Sequence, residues 1–217
     1  MKILIIPDVH GRDFWVEPCK QIDKFDKIIF LGDYHDPYPS QVSIKQSREN
    51  LKLLKDFITN HKDKVICLLG NHDYSYITGF AKCRYDTEYE KEVKEFLESI
   101  NLKVAYKIGN YIFTHSGILP RWANNFKLTI EDIFNLPIDS NVLQSVSPNR
   151  GGRFIECGSC IWGDLDEYHW AEHYADYYQI FGHTQLILMP AIEKDYACLD
   201  CRKAFILNTE TKEIKEL

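Results

Sequence analysis

Five short segments of this 217-residue chain carry side chains that could do chemistry: Asp8-Val9-His10-Gly11, Gly32-Asp33-Tyr34-His35-Asp36, Gly70-Asn71-His72-Asp73, Thr114-His115-Ser116-Gly117 and Gly182-His183-Thr184. Each supplies carboxylate, imidazole or amide groups, usually beside glycine. Asp, His and Asn, with no Cys among them, are hard-to-borderline metal ligands that suit Mn, Fe or Zn. Asp8 and His10 are two residues apart and share a side in strand conformation, so one ion can take both. Asp33 can bridge two ions, and Asn71, His115 and His183 can complete the second. Two divalent ions about 3.5–4 Å apart hold a phosphate and lower the pKa of a bridging water, which yields a nucleophilic hydroxide near neutral pH. His72 diverges from its neighbour Asn71 and is free to protonate a leaving alkoxide as general acid. Asp36 is the carboxylate placed to keep it charged.

These segments need elements that aim them. Each follows a short apolar run: Lys2 to Ile6, Lys27 to Leu31, Val65 to Leu69, Tyr111 to Phe113 and Gln179 to Phe181 read as buried strands. Between them, Val42 to Asn60 and Glu88 to Ile100 carry apolar residues at helical spacing. Early strand–helix–strand alternation predicts an α/β domain with parallel strands. In such sheets ligands bind outside the carboxyl ends of the strands, where all five segments fall. The Pro-, Ser-, Asn- and Gly-rich stretch 137–160 reads as a loop or cap inserted in a single domain spanning 1–217, because strand-like runs resume after it.

Composition narrows the partners. Hydrophobic residues are 45% and charged residues 27%, ordinary for a globular protein and incompatible with a disordered or collagen-like chain. No apolar run approaches the ~18 residues of a membrane helix. Ile3 to Ile6 is too short for a signal-peptide core, so the expected location is cytoplasmic. The net charge of -6, from 26 basic and 32 acidic side chains, argues against a duplex nucleic-acid partner. A phosphorylated substrate held by a few local groups remains compatible. Seven cysteines, an odd number without a secretion signal, do not make a disulfide framework.

The ordered set D-x-H, G-D, G-N-H-D, H-S-G and G-H-T resembles the calcineurin-like metallophosphoesterase superfamily over about Ile3 to Thr184. Gly32 to Asp36 is similar to the G-D-x-x-D segment of its phosphoprotein-phosphatase-like branch, which includes small bacterial and phage phosphatases and dinucleoside-tetraphosphate hydrolases. Ile161-Trp162-Gly163-Asp164 and Cys198-Leu199-Asp200 resemble two further segments of that branch. The resemblance implies two mixed β-sheets packed as a sandwich flanked by helices, and a dinuclear centre. It implies Asp8, His10 and Asp33 on one metal and Asp33, Asn71, His115 and His183 on the other, with manganese first and iron or zinc as alternatives. The expected activity is phosphomonoester hydrolysis on a phosphoprotein or small phosphate ester by a metal-bridging hydroxide. Hydrolysis of nucleotide phosphodiesters or dinucleoside polyphosphates is the alternative enzyme, and a non-catalytic scaffold of the same fold the alternative class.

Departures fall on the phosphate contacts. Pro37 stands where an Arg normally follows the second Asp, Asp73 replaces a Glu, and Ser116 replaces a Gly. No Arg lies between Asp164 and His183. Arg12, Arg150 and Arg153 are the candidates for gripping phosphate, since Arg can do so bidentately. Cys157/Cys160 and Cys198/Cys201 form two C-x-x-C pairs that could bind structural zinc. The second pair lies in an expected strand, where residues three apart face opposite ways, which favours buried thiols. His169 and His173 share helical spacing inside an expected helix from Tyr168 to Tyr178.

Overall fold

The apolar runs become strands at the places where their β-branched content puts them. The computed structural model describes residues 1–152 and 157–217; Arg153 lies outside the described residues. In chain order the strands are β1 (Lys2–Ile6), β2 (Lys27–Phe30), β3 (Val65–Leu68), β4 (Leu102–Lys103), β5 (Ala105–Ile108), β6 (Tyr111–Thr114), β7 (Tyr178–Phe181), β8 (Ala191–Ile192), β9 (Tyr196–Cys198), β10 (Phe205–Asn208) and β11 (Glu213–Glu216). The helices are α1 (Val16–Cys19), α2 (Ile44–Asn60), α3 (Asn71–Thr78), α4 (Glu90–Ser99), α5 (Pro120–Asn125) and α6 (Ile130–Phe134). The chain divides into two compact units, Met1–Leu102 with Arg202–Leu217, and Lys103–Cys201.

The first unit is built on a six-stranded mixed sheet of order β11-β10-β1-β2-β3-β4. β1 pairs parallel with β2 and β2 parallel with β3, while β10 runs antiparallel to β1. Ile3, Leu4, Ile5 and Ile6 are fully buried. A strand covered on both faces reads as a continuous apolar run, which is why no polar residue interrupts them. α2 starts at Ser43, whose Oγ accepts from Gln46 N at 3.2 Å, and buries Leu51, Leu54 and Ile58 along one stripe. Its Phe57 ring meets Trp15 (5.7 Å between centroids) and Phe30 of β2 (6.4 Å). α4 buries Val93, Phe96 and Leu97 in the same amphipathic manner.

The second unit holds a five-stranded mixed sheet of order β5-β6-β7-β9-β8. β6, β7 and β9 are parallel, and the antiparallel strands β5 and β8 form its edges. The α/β class, with two mixed sheets and flanking helices, is as expected. The described part of 137–160 contains two short 3-10 turns, Asn141–Gln144 and Pro148–Arg150. The helix expected over 168–178 is absent. A 3-10 turn covers Leu165–His169, and the His173 ring bonds to Asp195 and to Tyr168 O (2.9 Å) instead of facing along a helix. Helical spacing misled there because these tertiary bonds outweigh local propensity. No helix among the described residues is long and apolar enough to cross a membrane.

Candidate active site

In the first unit, three loops leave the same sheet edge because β1, β2 and β3 are parallel. The first two loops continue to pair past their strands. His10 N donates to Asp33 O (2.6 Å) and Gly11 N to Tyr34 O (3.0 Å). The carboxylates of Asp8 and Asp33 thereby come within 4.8 Å of each other, as do donor atoms of His10, Asp33 and His72. His10, Asp33 and Asp36 have φ of +45°, +53° and +58°. That left-handed conformation costs an L residue roughly 1–2 kcal/mol, and it persists only where surrounding contacts over-determine it.

Asp73 supplies those contacts for Asp33. From the third position of α3 its Oδ2 accepts from Asp33 N (2.8 Å) and Gly70 N (2.9 Å), and its Oδ1 accepts from Tyr34 N (3.1 Å). His72 N then donates to Asp33 Oδ1 at 2.9 Å. Position 70 has no room for a side chain: a Cβ would sit 2.2 Å from Asp33 Oδ1 and 2.4 Å from Asp33 N. Asn71 is buried at the first position of α3.

The donor set fits a metal ion on its own chemistry. His10 Nδ1 lies 3.1 Å from His35 O, a bond in which the ring must donate. The lone pair of the neutral ring is then on Nε2, which faces Asp33 Oδ2 at 3.4 Å. Burial, with help from His72, Arg12 and Arg84, holds the His10 pKa well below the usual imidazole value, so the ring is neutral near pH 7. Burial likewise pushes the Asp33 carboxyl up, opposed by His72 and reinforced by Asp8 and Asp73. Two acceptors facing each other in a dry site require a proton or a cation between them. Fixing one imidazole nitrogen through a carbonyl is how proteins orient the other toward a metal.

His72 is held from both ends. Its Nδ1 is 2.8 Å from Asp36 Oδ2, and the Tyr76 hydroxyl donates to the other oxygen of Asp36. Its Nε2 is 3.1 Å from Arg84 Nη2. Arg84 can only donate, so in this arrangement Nε2 accepts and Nδ1–H points at Asp36. Arg84 went unnoticed in the sequence because it belongs to no motif. Arg12, a candidate phosphate contact, is buried, and its donors reach Val9 O (2.9 Å), Asp8 O (2.7 Å) and Gln41 Oε1 (3.0 Å).

His35, the fourth residue of its motif, does different work. Its Nδ1 accepts from Ser47 Oγ (3.0 Å), and its Nε2 donates to Asp86 Oδ2 (3.1 Å). Asp86 also takes Arg48 Nε (2.9 Å) and Nη2 (2.7 Å). The residue types are those of a hydrolytic triad, but Ser47 is sealed from solvent, and the absent Cβ of Gly11 would lie 2.1 Å from its Oγ. The hydrogen-bond chain braces the loop after β2, α2 and the segment before α4. Burial lowers the His35 pKa, which keeps the ring neutral between its two partners.

In the second unit, His115 and His183 follow the parallel strands β6 and β7, and Gly182 N donates to His115 O at 2.8 Å. His115 Nε2 and His183 Nδ1 are 3.0 Å apart, and His183 has φ +65°. Arg150 is tied beside them. It donates to Thr184 Oγ1 (2.9 Å) and Gly163 O (3.2 Å), and it pairs with Asp164 Oδ2 (2.9 Å). Ser116 Oγ donates to Ser159 O (3.0 Å) and accepts from Gly163 N (2.9 Å). Gly117, at φ +85°, leaves the space that the Tyr168 hydroxyl fills. Cys157, Cys160, Cys198 and Cys201 are all buried, and no described residue group that could hold a metal includes a cysteine.

A family profile described as calcineurin-like phosphoesterase matches residues 1–186. No curated protein matches the sequence. Among solved structures, the fold is similar to that of a cold-active protein-tyrosine phosphatase from a psychrophilic Shewanella species. Identity is 17% and the TM-score 0.66, covering 100% of this chain and 80% of the other. It is also similar to a Saccharomyces cerevisiae protein serine/threonine phosphatase with similarity to human phosphatase PP5. There the identity is 14% and the TM-score 0.60, covering 100% and 79%.

Proposed function

Since the chain belongs to the calcineurin-like phosphoesterase family, we propose that it hydrolyses phosphomonoesters, either phosphoproteins or small phosphate esters, with two divalent ions, manganese foremost. The observation that carries this reading is the opposed pair His10 Nε2 and Asp33 Oδ2 at 3.4 Å, beside a histidine oriented by its own carboxylate. Asp8, His10 and Asp33 serve one ion in this proposal, and Asp33, Asn71, His115 and His183 the other, following the family resemblance. When bound, the ions neutralise the phosphoryl charge and lower the pKa of water.

The remaining work falls to the protein. Asp73 and the His72 amide hold Asp33 in place through bonds of 2.8 and 2.9 Å. Asp36 fixes the His72 ring by Nδ1, so that Nε2, which accepts from Arg84 in this structure, is the atom that takes up a proton and passes it to the leaving oxygen. Two solved proteins of similar fold are named as protein phosphatases, which is why phosphoproteins stand among the proposed substrates.

The test is hydrolysis of p-nitrophenyl phosphate and bis-p-nitrophenyl phosphate by protein stripped with chelator, then reloaded with manganese, iron or zinc, with metal content measured in parallel. Manganese-stimulated turnover of the monoester is the expected result. Preference for the diester would transfer the assignment to phosphodiester substrates. Folded, metal-loaded protein inert on both would refute a catalytic role.

A further inference from the structure

We propose that Arg84 grips the phosphoryl group of the substrate, as a forked contact to two of its non-bridging oxygens. The assignment rests on the phosphoesterase reading above and adds a residue to it.

Four observations converge on Arg84. Its Nη2 lies 3.1 Å from His72 Nε2, so the guanidinium shares the position where the proton donor meets substrate. It is stacked on the Tyr38 ring, 3.7 Å from Cζ to centroid, and Tyr38 in turn meets the His10 ring edge-on at 5.0 Å. Stacking engages the face of the guanidinium and leaves its N–H edge to polar partners, of which, among the described residues, only His72 Nε2 lies within 3.1 Å. Thirdly, no carboxylate among the described residues pairs with it. Its remaining polar contacts are Asp36 O at 3.4 Å and Cys83 Sγ at 3.9 Å. By contrast, Arg48 is matched to Asp86 and Glu88, and Arg150 to Asp164. A half-buried cation matched by no carboxylate is suited to an anionic ligand, and the guanidinium fork fits two oxygens of a phosphate.

The fourth observation is how firmly its segment is anchored. Arg84 itself adopts φ +50°. Two residues on, Asp86 N donates to Tyr76 Oη (2.9 Å), while the Asp86 carboxylate ties to His35 and Arg48. Between them, the Tyr85 ring stacks on Tyr76 at 4.0 Å. Tyr76 donates to Asp36, so the group that orients His72 and the segment that presents Arg84 share one support. The segment between α3 and α4 thus delivers a guanidinium where Pro37 offers no cation.

The experiment compares wild type, Arg84→Ala and Arg84→Lys, each loaded with manganese. It measures inorganic phosphate binding by calorimetry, kcat and KM on p-nitrophenyl phosphate, and Tm. The Ala variant should bind phosphate about 10- to 100-fold more weakly and show a matching rise in KM, with Tm nearly unchanged. The Lys variant should fall between, since it keeps the charge and loses the fork. It also serves as the informative variant if the Ala protein does not fold. Unchanged phosphate affinity in a folded variant, or a fall in kcat alone, would overturn the assignment and leave Arg84 as a support for His72. Wild type inert on every ester would instead strike at the phosphoesterase reading. Wild type that turns over, beside an Ala variant that matches it, would remove Arg84 only.

Discussion

Replacing Asp73 by Asn removes one negative charge and exchanges one acceptor oxygen for a donor, with almost no change in volume. The buried carboxylate now accepts three backbone N–H bonds, from Asp33, Tyr34 and Gly70. With the new amide oxygen placed at the present Oδ2, the Asp73→Asn side chain would keep the bonds from Asp33 and Gly70. Its NH2 would then face Tyr34 N, donor against donor. A hydrogen bond to a charged acceptor contributes about 1.5–3 kcal/mol, roughly twice a neutral one. One such bond is lost and two are weakened. Against this, the Asp33 carboxyl no longer feels the Asp73 charge that helps to push it up. The balance is a loss of about 2–4 kcal/mol, built from those bond strengths. For a chain of this size that lowers Tm by roughly 4–16 °C. Thermal unfolding followed by circular dichroism, on metal-free protein, measures it. Because Asp33 rests in a left-handed conformation held by these bonds, monoester turnover should fall about 10- to 100-fold as well, as it does when groups supporting metal ligands are removed. A variant with Tm within about 1–2 °C of wild type and full activity would refute the claim that Asp73 holds the loop.

Asp33→Asn should leave the fold intact and reduce turnover by at least about 100-fold, since the proposed bridging role needs a carboxylate that an amide cannot replace; wild-type rates would contradict that role. Gly70→Ala places a methyl group 2.2 Å from Asp33 Oδ1, so a loss of about 1–3 kcal/mol is expected in urea unfolding, with reduced manganese binding by calorimetry. Burial opposes ionisation of Asp86, but bonds from Arg48 and His35 prevail and hold its pKa below the usual carboxylate value. Its stabilisation is therefore present above the unfolded pKa of about 3.9 and is lost as pH falls through the lower folded value. Urea unfolding across that acid range should show a flatter pH dependence in Asp86→Asn than in wild type, and identical slopes would count against the pairing.

The candidate ligand residues are legible in the sequence because they sit directly after apolar runs. A buried parallel strand announces itself by composition, and its carboxyl end places the next two or three residues at the sheet edge without help from distant contacts. Asp8, His10, Asp33, Asn71, His115 and His183 stand out as candidate ligands on that basis, and the α/β class is legible in the same runs. The Asp36–His72 pair was anticipated on chemical grounds and appears at 2.8 Å.

Other features depend on residues that meet across long separations, which no local pattern encodes. Arg12 reads as a candidate phosphate contact beside a motif, and in the fold one of its donors reaches Gln41, twenty-nine residues away. Arg84 carries no signature and reaches His72 only because Asp86, fifty-one residues from His35, is tied to it. His169 and His173 have helical spacing, but Asp195 and Tyr168 O capture the His173 ring and no helix forms. Residue type and strand position thus sufficed to say which chemistry the chain carries. Which cation faces His72, and which aspartate pins the left-handed loop, depended on side-chain bonds that exist only once the segments have packed.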